Sequence, residues 1–347
     1  MGKNEEIRQR DLAVLWHPTT QMKDHEWLQL LPVKSAQGVW LKDMEGNRYI
    51  DAISSWWVNL FGHANPHISA AVSEQARCLE HVILAGVTHE PAVRLAEKLV
   101  EITPSGLERV FFADSGASAV EISLKMSFHY WRNIGESGRT RFVTLSNSYH
   151  GDTLGALSVG DAGLFKAAYE PLLMEPVVAP SPDCFALPRD QWDEHARGKL
   201  AEMREIFAAN KGEISAVIIE PLVQCAGGMR MYPPSYLAGL RALCDEFRVH
   251  LIADEIAVGF GRTGSMFACE QGGIAPDFMC LSKGLTGGYL PMSAVMTSHE
   301  IYGAFYDEYT TLRGFLHSHS YTGNALACAA ALATMELFEQ RDVLADN

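Results

Sequence analysis

The chain has 347 residues, 48% hydrophobic and 20% charged, with a formal net charge of -14. That composition supplies a large core and suggests one large domain beside a smaller one. The acidic balance argues against nucleic acid or an anionic membrane surface as partner. The seven cysteines are scattered without a C-x-x-C pair, so they read as reduced thiols, most of them buried, and not as a zinc cluster or a disulfide framework.

The N-terminal Met-Gly-Lys-Asn-Glu-Glu stretch is polar and lacks a signal-peptide core. Glu6 stands where a myristoylation signal needs Ser or Thr. The uncharged run near the C-terminus, Ala325 to Met335, is too short to span a bilayer. The expectation is a soluble, cytoplasmic protein.

In chain order, a Trp16-His17-Pro18 turn precedes two short alternating runs around Glu45-Gly46-Asn47, which predict a hairpin. Ser54-Ser55-Trp56-Trp57 puts two aromatics in a polar turn, one of them read as a core anchor. From Pro66 onward helical and strand patterns alternate. Helices are predicted over Ile68–His81, Pro91–Ile102, Ser118–Trp131, Ser235–Phe247 and Gly323–Phe338. Strands are predicted over Arg109–Ala113, Arg141–Leu145 and Ala216–Glu220. Val249–Ala253 and Phe278–Ser282 read as further strands, buried on both faces. The Pro- and acid-rich Pro176–Asp193 stretch reads as a surface excursion. This alternation predicts an α/β protein with a mostly parallel sheet flanked by helices.

Two charges end the last pair of apolar runs. Asp254 closes Val249–Ala253, and Lys283 follows Phe278–Ser282 and opens into Gly284-Leu285-Thr286-Gly287-Gly288. Strand carboxyl ends face the ligand crevice of open α/β sheets, and a buried charge is expensive unless paired or used. An acid and an amine on adjoining strand ends suit pyridoxal phosphate (PLP), which takes a Lys as its covalent anchor and an Asp on its pyridinium nitrogen.

Other motifs allow two readings each. Asp114-Ser115-Gly116-Ala117-Ser118 opens a helix, with Ser118 and Glu121 spaced as a capping box. It is either an ordinary helix cap or a phosphate site at a helix N-terminus. Tyr149-His150-Gly151-Asp152 follows a strand, and its Tyr either stacks on a planar ring or sits half-buried in a polar loop. Gly259-Phe260-Gly261-Arg262-Thr263-Gly264 matches G-x-G-x-x-G, but no strand leads straight into it and no long helix follows. A glycine-rich active-site loop is favoured over an NAD site. His317 and His319 have no further ligand cluster near them in sequence, so no metal is expected, and that loop's hydroxyls are better suited to an anion.

With these motifs in order along essentially the whole chain, and with Ile219-Glu220-Pro221 and Gly227-Gly228-Met229-Arg230-Met231 between them, the sequence resembles the class III aminotransferases of PLP fold type I. The double Trp, Tyr149–Asp152 and Gly227–Met231 resemble the biotin-synthesis branch more narrowly. The resemblance implies that Lys283 holds PLP and shuttles a proton, that Asp254 keeps the pyridine nitrogen protonated, and that Tyr149 stacks on the ring. It implies phosphate binding by Ser115, Gly116 and Ala117, with Ser320 reaching the phosphate of a neighbouring subunit, hence a homodimer. Trp56, Trp57 and Asp152 would line the substrate pocket. The implied reaction is ping-pong transamination of 8-amino-7-oxononanoate to 7,8-diaminononanoate, with S-adenosylmethionine or lysine as donor.

The chain departs from that family at Thr19, Cys225 and Val258, where Tyr, Gly and Thr are usual, and in its Ser318-His319-Ser320-Tyr321 loop. The resemblance divides it into residues 1–60 of a small domain, 61–322 of a large PLP-binding domain and 323–347, a linker helix. The family continues into a further C-terminal domain, so the expectation is a small domain incomplete at its C-terminus and weak turnover.

Overall fold

The computed structural model describes residues 1–347. Its centre is a seven-stranded mixed sheet, preceded by a small three-stranded antiparallel one. The small sheet comprises β1 (Val33–Gln37), β2 (Trp40–Asp43) and β3 (Arg48–Ile50), and the β2–β3 turn is the expected hairpin. The large sheet takes β4 (Arg109–Ala113), β5 (Arg141–Leu145), β6 (Val177–Ala179) and β7 (Ile214–Ile219). A two-residue ribbon, β8 (Val223–Gln224) with β9 (Arg230–Met231), follows. The sheet is completed by β10 (His250–Asp254), β11 (Phe278–Leu281) and β12 (Ser293–Thr297), in the order β4-β12-β11-β10-β7-β5-β6. Only β12 is antiparallel to its neighbours, β11 and β4.

The apolar runs form strands because both faces of the sheet are covered. Val217, Ile219, Leu251, Ala253, Met279 and Leu281 belong to one buried cluster. Their alternates Ala216, Ile218, Ile252, Phe278 and Cys280 belong to another, under the Gly116–Asn133 helix. Period-two alternation thus sends successive side chains of one strand into two separate cores.

Helix bounds lie close to those expected: Pro66–Cys78, Glu90–Ile102, Pro234–Phe247 and Ala325–Gln340. The first is capped by Asn65, whose side chain accepts from the His67 and Ile68 amides. The Pro176–Asp193 stretch is less of an excursion than expected. It supplies the edge strand β6, pairing with β5, and it buries Cys184 and Trp192. Its proline-rich composition hid a strand of three residues, too short for a periodic signal. Six of the seven cysteines are buried, Cys78 is exposed, and none is paired. No helix is long and apolar enough to cross a membrane.

Candidate functional site

Parallel register places the two charges together. Asp254 is opposite Cys280 on the neighbouring strand, and Lys283 lies three residues beyond Cys280 in the sequence. Asp254 is 4% exposed. Its Oδ1 accepts from the Ile256 amide at 3.1 Å and its Oδ2 lies 2.7 Å from His150 Nδ1. The Lys283 backbone is left-handed, with φ of 46°. Non-glycine residues in that region are strained and persist where the surroundings over-determine them. Burial pushes the Lys283 amine down, an effect opposed chiefly by the charge of Asp254. Its Nζ lies 4.9 Å from the centre of the Trp57 ring.

The loop after β5 and the end of β7 bring one further group each, Tyr149 and Glu220. The Tyr149 amide donates to Glu220 Oε2 at 3.1 Å, and the Cys225 amide donates to Glu220 Oε1 at 2.9 Å. Burial pushes the Glu220 carboxyl up to about 7. The Tyr149 phenol is also pushed up, first by burial and then by the charge of Asp152. It therefore stays protonated and able to donate. Gly151 lets this loop approach the helix that begins at Gly116: a Cβ there would lie 2.6 Å from that of Ala117.

The Gly116–Asn133 helix is 18 residues long and starts two residues earlier than its pattern suggested. Its cap is Ser115, whose Oγ accepts from the Ser118 amide at 3.2 Å. The expected Ser118–Glu121 capping box is not formed. Ser118 Oγ donates to Asp114 Oδ1, and Glu121 Oε1 accepts from Thr153 Oγ1 at 2.6 Å and from the amides of Gly155 and Ala156. Glu121 thus supports the Tyr149–Asp152 loop from behind, where the amides of a second, short helix attract its charge. Its absence from the cap leaves the first amides of the long helix beside the small residues Ser115, Gly116 and Ala117, an arrangement suited to an anion. A Cβ on Gly116 would lie 3.1 Å from two carbons of Ile256, two residues after Asp254.

Trp56 and Trp57 belong to a left-handed helical turn. Ser54, Ser55, Trp56 and Trp57 have φ of 47°, 48°, 62° and 65°, a conformation costing about 1–2 kcal/mol per residue. Trp57 is half-buried and faces Lys283, whereas Trp56 is 57% exposed. The Gly259–Gly264 run forms turns, not a helix start, and its Arg262 donates to the Trp57 carbonyl at 3.1 Å. A cavity of about 390 Å³ is lined by Trp57, Arg262, Met229, Cys225 and Val258, among others. Two of the departures from the family pattern therefore shape one chamber.

Lys283, Asp254, Tyr149 and Trp57 are thus gathered around one crevice, with Ser115, Gly116 and Ala117 at its margin and Asp152 beside Tyr149. Ser320 is separate: it lies in an exposed loop, and its carbonyl is bonded by His81 Nε2 at 2.6 Å. Sequence reasoning passed over His150 and Glu220 as functional groups. For Glu220, a charge directly after a buried strand was the available signal.

The donor set fits PLP: a half-buried amine beside a buried carboxylate, and free helix amides on the same crevice. The family described as aminotransferase class-III matches residues 21–347. The chain is 48% identical to the adenosylmethionine-8-amino-7-oxononanoate aminotransferase of Helicobacter pylori, covering 100% of this chain and 78% of that protein. It is 45% identical to the enzyme of the same name from Geobacter sulfurreducens, covering 97% and 75%. The crystal structure of the Methanocaldococcus jannaschii enzyme of that name superposes with a TM-score of 0.93 at 40% identity, covering 99% of this chain and 77% of that one. An omega transaminase from Pseudomonas jessenii, in complex with PMP, superposes with a TM-score of 0.90 at 28% identity, covering 96% and 74%.

Proposed function

Since the chain belongs to the class III aminotransferases, a PLP-dependent family, we propose that it transfers an amino group to 8-amino-7-oxononanoate, giving 7,8-diaminononanoate for biotin synthesis, with S-adenosylmethionine as donor. The observation that carries this reading is buried Asp254 and half-buried Lys283 at the ends of adjoining strands, with Trp57 over the amine. When bound, PLP supplies an electron sink for the carbon that exchanges its proton.

Each residue then has a task. Amides at Ser115, Gly116 and Ala117 hold the phosphate. Asp254 holds a proton on the pyridine nitrogen, and His150, bonded to its Oδ2, fixes the carboxylate's orientation. Lys283 anchors the cofactor through Nζ and afterwards moves the proton. A buried amine is suited to that because burial favours its neutral form. Tyr149 packs on the ring, and its protonated phenol remains a donor. Trp56, Trp57 and Asp152 hold the acceptor, with Trp57 excluding water from Nζ. Ser320 serves the phosphate of a second copy, so the working unit is a homodimer.

The test is the visible absorbance of protein-bound PLP in the wild-type chain and in Lys283→Ala, followed by amino transfer to 8-amino-7-oxononanoate from S-adenosylmethionine or from lysine. A band lost on substitution, with product formed from S-adenosylmethionine, supports the reading. Transfer only to other ω-amino acceptors would move the chain to the ω-transaminases, which share its fold.

A further inference from the structure

The left-handed turn at Ser54–Trp57 is held by an acid that the amino-transfer scheme does not use. Asp51 Oδ1 accepts from the Ser55 amide at 3.0 Å, and Oδ2 accepts from the Ser55 hydroxyl at 2.7 Å. The same Oδ2 lies 2.9 Å from His63 Nε2. The Asp51 side chain is 7% exposed. His63 is in turn bonded by Asn59 Nδ2, 2.9 Å from its Nδ1. On the far side the turn is closed by the Val58 and Asn59 amides, which both donate to the Ser54 carbonyl.

Four successive left-handed residues without a glycine do not persist unaided. What they achieve is the placement of one ring: the Trp57 indole lies 4.9 Å from Lys283 Nζ. The segment is also wedged against the Lys283 loop. A Cβ on Gly288 would lie 3.1 Å from Val58, and one on Gly284 would lie 3.0 Å from Leu60. Glycine at both places lets the turn and the lysine loop pack backbone to side chain with no slack between them.

We propose that Asp51 is a positioning residue for the reaction: its carboxylate locks the left-handed Ser54–Trp57 turn and so fixes the Trp57 indole over the Lys283 amine. Asp51 touches neither substrate nor cofactor and acts through Trp57. The proposal rests on Lys283 being the reactive amine, and its test separates the two claims.

In the cofactor-free chain, the near-ultraviolet circular dichroism of wild type minus that of Trp57→Phe isolates the Trp57 signal. Asp51→Asn keeps the size of the side chain and removes its charge, so this signal should shrink by more than about half, given that the indole loses its fixed surroundings. In the PLP-loaded protein, Asp51→Asn should leave the visible absorbance of bound cofactor unchanged and raise KM for the acceptor by about tenfold to a hundredfold, the scale of a displacement near 1 Å. In a Trp57→Phe background, Asp51→Asn should add little further change. An unchanged Trp57 signal with an unchanged KM would overturn the proposal, as would an effect on KM that adds in full to that of Trp57→Phe. If Asp51→Asn fails to fold, Ser55→Ala removes one of the two bonds that Ser55 makes to the carboxylate and carries the same comparison. Absence of PLP absorbance in wild type would instead defeat the functional reading, while the circular dichroism arm would still decide the role of Asp51.

Discussion

Glu220→Gln offers a measurable link between the site and the stability of the fold. Glu220 is 4% exposed, and its two oxygens accept the Tyr149 and Cys225 amides. Burial lifts its carboxyl from 4.5 to about 7. The folded chain therefore keeps this proton at pH values where the unfolded chain has released it. Stability from this group is full below about pH 4.5 and is lost as pH rises through about 7. That lift corresponds to about 3 kcal/mol in total, of which about 2 kcal/mol develops between about pH 5.5 and about pH 8. Gln is the neutral isostere and resembles the protonated acid, so the substituted chain escapes this loss. Buried Glu255, also lifted to about 7, is common to both chains and cancels in the difference. Urea denaturation of the cofactor-free wild-type and Glu220→Gln chains at the two pH values would give the comparison. The variant should gain about 2 kcal/mol on wild type from the lower to the higher pH. Curves that keep a constant separation would refute the reasoning.

Other outcomes follow from particular contacts. Gly227→Ala would place a Cβ 2.0 Å from the Asn147 carbonyl oxygen, so one of the two backbones must shift. It should destabilise the chain by about 3 kcal/mol and displace the loop carrying Tyr149 and His150; an unchanged melting temperature would contradict this. His150→Ala leaves Asp254 Oδ2 without the partner it has at 2.7 Å, costing about 1.5–3 kcal/mol of stability in denaturation and weakening PLP retention on dialysis. Glu121→Gln should loosen the Thr153–Ala156 backbone it holds, seen as faster amide exchange there, with the Gly116–Asn133 helix still protected.

Much of this arrangement was legible in the residues because strands buried on both faces have almost no alternative reading. Val249–Asp254 and Phe278–Lys283 each announced a strand and its terminal charge, and adjoining register followed once both belonged to one sheet. The cap of the Gly116–Asn133 helix was misplaced because two Ser residues compete there, and spacing favoured Ser118 over Ser115. Only the tertiary approach of Thr153–Ala156, which claims Glu121, decides between them. The edge strand β6 and the Asp254–His150 bond were hidden for a related reason. Both depend on partners about thirty to a hundred residues away, and no local period records such distances. The left-handed turn was least legible of all, because Ser-Ser-Trp-Trp has no glycine to advertise it. Its conformation is imposed by Asp51, Arg262 and the packing of the Lys283 loop.

The residues lining the crevice come from positions spread between Trp57 and Lys283, borne on the ends of several strands and turns. No contiguous peptide holds even two of the principal groups, Asp254 and Lys283, without first pairing β10 to β11 across an intervening loop. Such a site is assembled only when the long-range sheet closes, late in folding and at the slow end of folding rates for its size. A ligand that engages it therefore binds the native chain and ignores the unfolded one. At a free concentration a hundredfold above its Kd, that selectivity adds about 2.7 kcal/mol to native stability. Were the proposed cofactor that ligand, its supply would set by mass action alone how much of the chain resists proteolysis.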